Sequence, residues 1–179
     1  GHSHAESLCF ELSVYNERLI VNSGISTYNI STKRLKQRST SSHSTLEIDS
    51  TNSSQVWSSF RVAKRARVTN FSFLDKKEFY EVSALHDGYR VLRGKPIHQR
   101  KWVINKTNSE INIYDTIVGN GHHNIKLFYL LHPNIKIIEK NKHNIIYLKT
   151  KEKVIHIKID KIDNLLIKQE DYNLDFNLS

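Results

Sequence analysis

The 179 residues contain no methionine. A chain without an initiator residue is expected to be a segment of a larger polypeptide. Cysteine is nearly absent as well. Cys9 stands alone, which excludes an internal disulfide and any thiolate-rich metal site. Set among Leu8, Phe10 and Leu12, it reads as a small core residue. No apolar run approaches the roughly 20 residues needed to span a bilayer, and no charged-then-apolar leader opens the sequence. A sustained 3.6-residue hydrophobic period is also missing. Crossover helices are therefore lacking, and with them a parallel α/β sheet. No internal repeat recurs at a fixed period.

What is present is alternation. Short β-rich runs cover residues 7–14, 19–21, 43–49, 56–60, 63–73, 79–85, 97–105, 111–118, 125–131, 135–139, 144–149, 154–159 and 165–168. Turn residues recur every 8 to 12 positions or so. The many Ile and Val residues suit half-buried strands. The pattern predicts an all-β fold, an antiparallel two-sheet β-sandwich of about a dozen strands, forming a single domain over residues 1–179. Residues 25–42 are rich in Ser, Thr, Asn and basic side chains without clear period and predict a long surface loop.

The net charge of +9 is unevenly placed. Residues 1–60 carry five basic and five acidic side chains, residues 61–105 eleven and four, and the remainder eleven and nine. All nine arginines lie at or before Arg100. Guanidinium forks pair bidentately with carboxylates, sulfates and phosphates, so the middle third favours a polyanionic partner, against the plainer reading of a solvated basic face. No helix-turn-helix, RRM or zinc-finger pattern accompanies the charge, which argues against nucleic acid as the partner.

Of ten histidines, His122, His123, His132, His143 and His156 sit at loop tips, strand ends or lysine-rich strands without partner motifs. The other five are His2, His4, His43, His86 and His98. On a strand, His2 and His4 share a face with Cα atoms about 6.6 Å apart, an arrangement suited to one metal ion or one substrate. The same two residues also fit an appended tag or a frayed terminus. Glu6 falls on the face of His4 and can orient it.

The order of motifs is more specific than any one of them. An HxHA segment runs into Leu8-Cys9-Phe10-Glu11-Leu12, followed by Leu19-Ile20-Val21-Asn22-Ser23-Gly24. Next come Arg38-Ser39-Thr40 with His43-Ser44-Thr45, Trp57-Ser58-Ser59-Phe60, His86-Asp87-Gly88-Tyr89, and His98 before Arg100. Over residues 1 to 135 this resembles the C-terminal β-sandwich of the heparinase II/III-like polysaccharide lyases, and the order makes His2 and His4 native residues. The resemblance implies a missing N-terminal α/α-toroid of the same chain, with an acidic uronic-acid polysaccharide in the cleft between the two domains. It implies His2 as a catalytic or substrate-orienting histidine, and His4, Asn22 and His43 as the shell of a structural zinc. Arg38, His86 and Tyr89 become candidate substrate contacts, and a periplasmic or secreted location is implied. Asn22 and Glu6 both stand where the family usually has aspartate. An amide oxygen is a poorer zinc ligand than a carboxylate.

The implied reaction is β-elimination at a 4-linked uronic acid of a heparin- or heparan-sulfate-like or related glycan. The tyrosine acid/base and the group that neutralises the uronate carboxylate would belong to the toroid, so the isolated chain is expected to be inactive. The alternative is a non-catalytic sandwich module that binds glycan or supports a polysaccharide-processing protein, with a decayed metal site.

Overall fold

The computed structural model describes residues 3–173. Thirteen strands occur in them, all in antiparallel ladders, and the chain is an all-β sandwich. In chain order they are β1 (Leu12–Val14), β2 (Glu17–Ile20), β3 (Leu46–Ile48), β4 (Val56–Trp57), β5 (Arg61–Val62), β6 (Val68–Asp75), β7 (Phe79–His86), β8 (Ile97–Asn105), β9 (Ile111–Val118), β10 (Ile125–Leu127), β11 (Lys136–Lys140), β12 (Ile145–Lys149) and β13 (Val154–Lys158). No helix among the described residues is long and apolar enough to cross a membrane.

The largest sheet runs β6-β7-β8-β9. Its register sets His86 opposite His98 and Arg100 opposite Asp115. Alternation along β8 sends His98 and Arg100 inward, and both are fully buried. A smaller ladder, β3 with β10, packs on this sheet. Leu46, Ile48 and Tyr89 form the joining core, with Leu92, Ile117 and Leu127 around it. The second core lies under the sheet β11-β12-β13. There Ile146 and Leu148 of the central strand meet Leu19, Ile20 and Ile135.

Much of the interior is polar. Thr40, Ser44 and Thr45 have no exposure, and each hydroxyl reaches a backbone carbonyl: Thr40 donates to Ala5 (2.8 Å), Thr45 to Ser7 (2.9 Å) and Ser44 to Val21 (3.4 Å). Buried polar groups are tolerated when so paired, and these pairs tie the N-terminal segment to residues 40–45.

The structure departs from the sequence expectations in several places, among them the runs expected over 43–49 and 125–131, which are strands only over Leu46–Ile48 and Ile125–Leu127. Residues 25–42 are no plain loop. They contain the helix α1 (Thr32–Gln37) and a 3-10 turn (Thr40–Ser42), with Arg34, Gln37 and Arg38 buried. Ser31 caps the helix by accepting from Arg34 N at 3.1 Å, but six residues are too few to show a helical period. The strand expected over 7–14 begins only at Leu12, because the chain turns at residues 7–8, where Cys9 N donates to Glu6 O and Leu8 has a φ of 57°. The runs expected over 56–60 and 63–73 become the short hairpin β4–β5 and the later strand β6. Residues 165–168 form no strand.

Candidate metal centre

The N-terminal segment is built to present His4 and Glu6 together. Ala5 between them is fully buried, its N–H donates to Arg38 O (2.9 Å), and its carbonyl accepts from Thr40. With Ala5 pinned inward, its two neighbours project to one side. There they meet His43, which closes the 3-10 turn Thr40–Ser42. Each of the three offers a ligand atom, all within 4.8 Å of one another. His4 Nδ1 is 3.1 Å from His43 Nε2, and Glu6 Oε2 is 3.4 Å from the same nitrogen.

The donor set suits a cation. Zinc bonds of about 2.0–2.1 Å in a tetrahedron place neighbouring ligand atoms about 3.3–3.4 Å apart, close to the separations found here. His43 Nδ1 donates to Ser39 O at 2.7 Å, which leaves its lone pair on Nε2, the nitrogen that faces the cluster. Burial pushes the His43 pKa down, and the Glu6 carboxylate and Ser39 carbonyl only partly oppose it, so the ring is neutral near pH 7. A neutral imidazole with its outer nitrogen already engaged is the form that binds metal.

Behind His4 stands Arg34, fully buried, its Nη1 3.3 Å from His4 Nε2. Its Nε donates to Ser59 O (3.2 Å), and the guanidinium lies 5.4 Å from the Tyr28 ring centre and 5.7 Å from that of Phe60. No carboxylate among the described residues pairs with it, and burial lowers its pKa. Sequence reasoning passed over Arg34. The available signal was Ser31, a cap that starts a helix three residues earlier.

The expected site residues separate into groups. His4 and His43 come together, and Glu6 stands with them, its Oε2 3.4 Å from His43 Nε2, where it could serve as a third ligand as well as an orienting neighbour. Asn22 donates from Nδ2 to Glu11 Oε1 (3.0 Å), whereas its Oδ1 is buried without a hydrogen-bond partner among the described residues. Its backbone neighbour Ser23 bonds to Ser42, next to His43 in sequence. His2 lies outside the described residues. Arg38 is fully buried, not loop-exposed as its expected substrate contact requires. Its Nη1 donates to the carbonyls of Trp57, Ser58 and Arg61 (3.3, 3.1 and 3.3 Å), and its Nη2 donates to Ser3 O (3.0 Å). His86 and Tyr89 are also fully buried, and the Tyr89 hydroxyl donates to Leu46 O at 2.5 Å.

His86 belongs to a network that the sequence hinted at only in part. Gly88 N donates to His86 Nδ1 (3.1 Å), His86 Nε2 lies 3.1 Å from His98 Nδ1, and His98 Nε2 lies 2.6 Å from Asp115 Oδ1. A backbone N–H can only donate, so His86 carries its proton on Nε2 and passes the donor role to His98, which donates to Asp115. Arg100 grips the same carboxylate through Nε and Nη2 (2.7 and 3.0 Å), while its Nη1 donates to Leu8 O (2.8 Å) and Ser44 O (2.9 Å). Leu8 follows Glu6 by two residues and Ser44 follows His43. Arg100 thus fastens both segments that carry the cluster. Asp115 was legible as the one acid within the apolar run 111–118, but its partners come from strand register.

No curated protein and no solved structure matches the chain significantly. Residues 1–173 match the family described as Heparinase II/III-like, C-terminal. With that match spanning nearly the whole sequence, the chain belongs to the heparinase II/III-like C-terminal family.

Proposed function

We propose that this chain is the C-terminal domain of a polysaccharide lyase that cleaves acidic, uronic-acid-containing glycan by β-elimination. The observation that carries the reading is the match of residues 1–173 to the heparinase II/III-like C-terminal family, and beside it stands the anchoring of Ser3, the residue between His2 and His4. Its carbonyl accepts from Arg38, and its hydroxyl accepts from Arg65 Nη1 at 3.1 Å. Held on both sides, Ser3 anchors the start of the segment that carries His4 and Glu6.

In the elimination, a base removes the C5 proton, the electron pair forms the C4–C5 double bond, the C4–O4 bond breaks, and an acid protonates the departing O4. His2 orients substrate or takes part in proton transfer, and the remaining acid/base groups belong to the N-terminal toroid. The cluster's cation is zinc, held by His4, His43 and Glu6, with Asn22 Oδ1, which has no hydrogen-bond partner among the described residues, as the further donor. Two imidazole nitrogens with a carboxylate oxygen are a donor set zinc accepts. When bound, it supplies a cross-link between residues 4–6 and His43.

Metal analysis after mild purification is expected to give about one zinc per chain, lost in His4→Ala and in His43→Ala. Uptake should weaken in acid, where protons compete for the imidazole lone pairs, with burial keeping His43 neutral to lower pH than a free imidazole. Wild-type protein that takes up no zinc from zinc-containing buffer at pH 7.5 contradicts the assignment. The proposed reaction is tested by incubating the longer protein, with its N-terminal domain, with several acidic polysaccharides and following the absorbance of unsaturated uronate.

A second reading, a non-catalytic glycan-binding module, draws on Asn22, whose amide replaces the carboxylate usual in the family. Binding of polysaccharide without elimination would favour it.

A further inference from the structure

Strands β1 and β2 pair with Leu12 opposite Ile20, and the chain just beyond this ladder brings Glu11 alongside Asn22. Glu11 Oε1 accepts from Asn22 Nδ2 at 3.0 Å. Its other oxygen, Oε2, accepts from Arg18 Nη2 at 2.6 Å, and Arg18 Nη1 donates to the Tyr172 hydroxyl at 3.3 Å. Arg18 thus occupies one oxygen of the carboxylate and leaves the other for the amide.

The backbone around Asn22 is fixed separately. Val21 N donates to Leu130 O (2.9 Å), and Ser23 N donates to Ser42 O (3.3 Å). Ser23 O accepts from both the backbone N and the Nδ2 of Asn173 (2.9 and 3.0 Å). Gly24 follows, and a Cβ there would run into the Asn173 carbonyl, so the C-terminal segment closes directly onto this turn. With the main chain held on both sides, Asn22 keeps one choice, which end of its amide faces Glu11.

The two ends are unlike. An amide oxygen only accepts and an amide nitrogen only donates. A carboxylate oxygen at 3.0 Å admits the nitrogen, because the reverse orientation would set two acceptors against each other. Oδ1 is therefore turned away from Glu11, where it is buried and has no hydrogen-bond partner among the described residues. A buried acceptor without a donor is costly, and a cation removes that cost.

The geometry points to Glu11 as the residue that positions Asn22 for zinc, by fixing the amide with its oxygen and not its nitrogen left for the cation. The inference rests on the zinc assignment proposed above. Aspartate, usual in the family at this place, needs no such device, since a carboxylate offers an oxygen at either end. Zinc affinity should therefore depend on Glu11 only while residue 22 is asparagine.

The test is a double-variant cycle on the 179-residue chain, with zinc affinity read by competition with a chromophoric chelator. Glu11→Ala is expected to weaken zinc binding about tenfold, the usual scale for losing a group that orients a metal ligand. Glu11→Gln keeps an oxygen that accepts from Asn22 Nδ2 and should stay within about threefold of wild type. In Asn22→Asp protein the same Glu11→Ala change should cost nothing. Glu11 and Arg18 form a surface pair, their side chains 45% and 50% exposed, so the urea midpoint of Glu11→Ala should stay close to that of wild type. The amide itself reports without metal. In zinc-free wild type one Asn22 Nδ2 proton should resonate downfield of a free amide, and Glu11→Ala should move it back.

Three results overturn the inference: unchanged zinc affinity in Glu11→Ala, an equal loss from Glu11→Ala in the wild-type and Asn22→Asp backgrounds, or an Asn22 amide signal that ignores Glu11→Ala. Failure of the zinc assignment looks different. No variant would then take up zinc, while the amide signal still followed Glu11.

Discussion

Arg100→Ala is expected to cost about 3–5 kcal/mol, the usual penalty for removing one partner of a buried ion pair. Domains of this size are stable by only about 5–15 kcal/mol, so the loss is a large part of the total. Arg100 is fully buried, and its guanidinium serves both oxygens of Asp115 and the carbonyls of Leu8 and Ser44. Alanine strands a carboxylate and two carbonyls at once. It also releases the two segments that bring His4 and Glu6 to His43, so zinc uptake should fall with stability. Arg100→Lys keeps the charge but cannot span four acceptors, and should cost roughly 2 kcal/mol, from hydrogen bonds left unmade. Urea unfolding midpoints with their slopes measure both variants. A cost under about 1 kcal/mol for the alanine variant would mean that the network does not hold the fold.

Acid should unfold the protein well before its carboxylates are protonated. The chain from Gly88 N–H through His86 and His98 to Asp115 has one direction and no vacancy for another proton. Burial pushes His86 down to about 3, with His98 as the next cause. Burial also lowers His98, against the pull of Asp115, and lowers His43. Each of these rings has a folded pKa below its unfolded value of about 6.5, so the unfolded chain binds more protons between the two values. Stability contributed by the neutral rings is therefore intact above about pH 6.5 and is lost as pH falls. The slope is up to about 1.4 kcal/mol per pH unit for each ring while it lies between its two pKa values. Asp115, whose pKa is lowered by His98 and Arg100 despite an opposing burial effect, adds loss in the same direction only below about pH 3.8. Urea midpoints from pH 8 to pH 4 should fall steadily below 6.5, and His86→Gln should flatten part of that fall. A midpoint constant over this range would contradict the neutral, directed chain. Nitrogen chemical shifts supply an independent reading, with both rings expected as the Nε2–H tautomer.

Much of this was legible beforehand, for identifiable reasons. Period-two alternation reports which face of a strand is buried, and it located the long strands β7, β8 and β9 closely. Pairing of His4 with His43 followed from the family resemblance that the ordered motifs carry. Alternation is blind, however, to backbone that leaves the sheet. His4 and Glu6 were placed on one face as strand neighbours. They do project together, but because Ala5 is pinned by Arg38 and Thr40 in a segment that is not a strand. Composition marks Arg38 as a loop cation available to substrate and does not reveal that its two terminal nitrogens donate to four carbonyls. The His86–His98–Asp115–Arg100 network depends on register across three strands. Residues 12 and 17 positions apart are brought side by side by pairing that no local pattern encodes.

The most direct measurement is the absorbance of unsaturated uronate produced by the longer protein, N-terminal domain included, on heparin-like and other acidic polysaccharides, with wild type and His2→Ala compared at equal zinc content. The expected result is a rising signal on at least one polysaccharide, reduced by about a hundredfold or more in His2→Ala, as for loss of a group that acts in proton transfer. No signal on any of them from zinc-loaded, folded wild-type protein would contradict the proposed elimination.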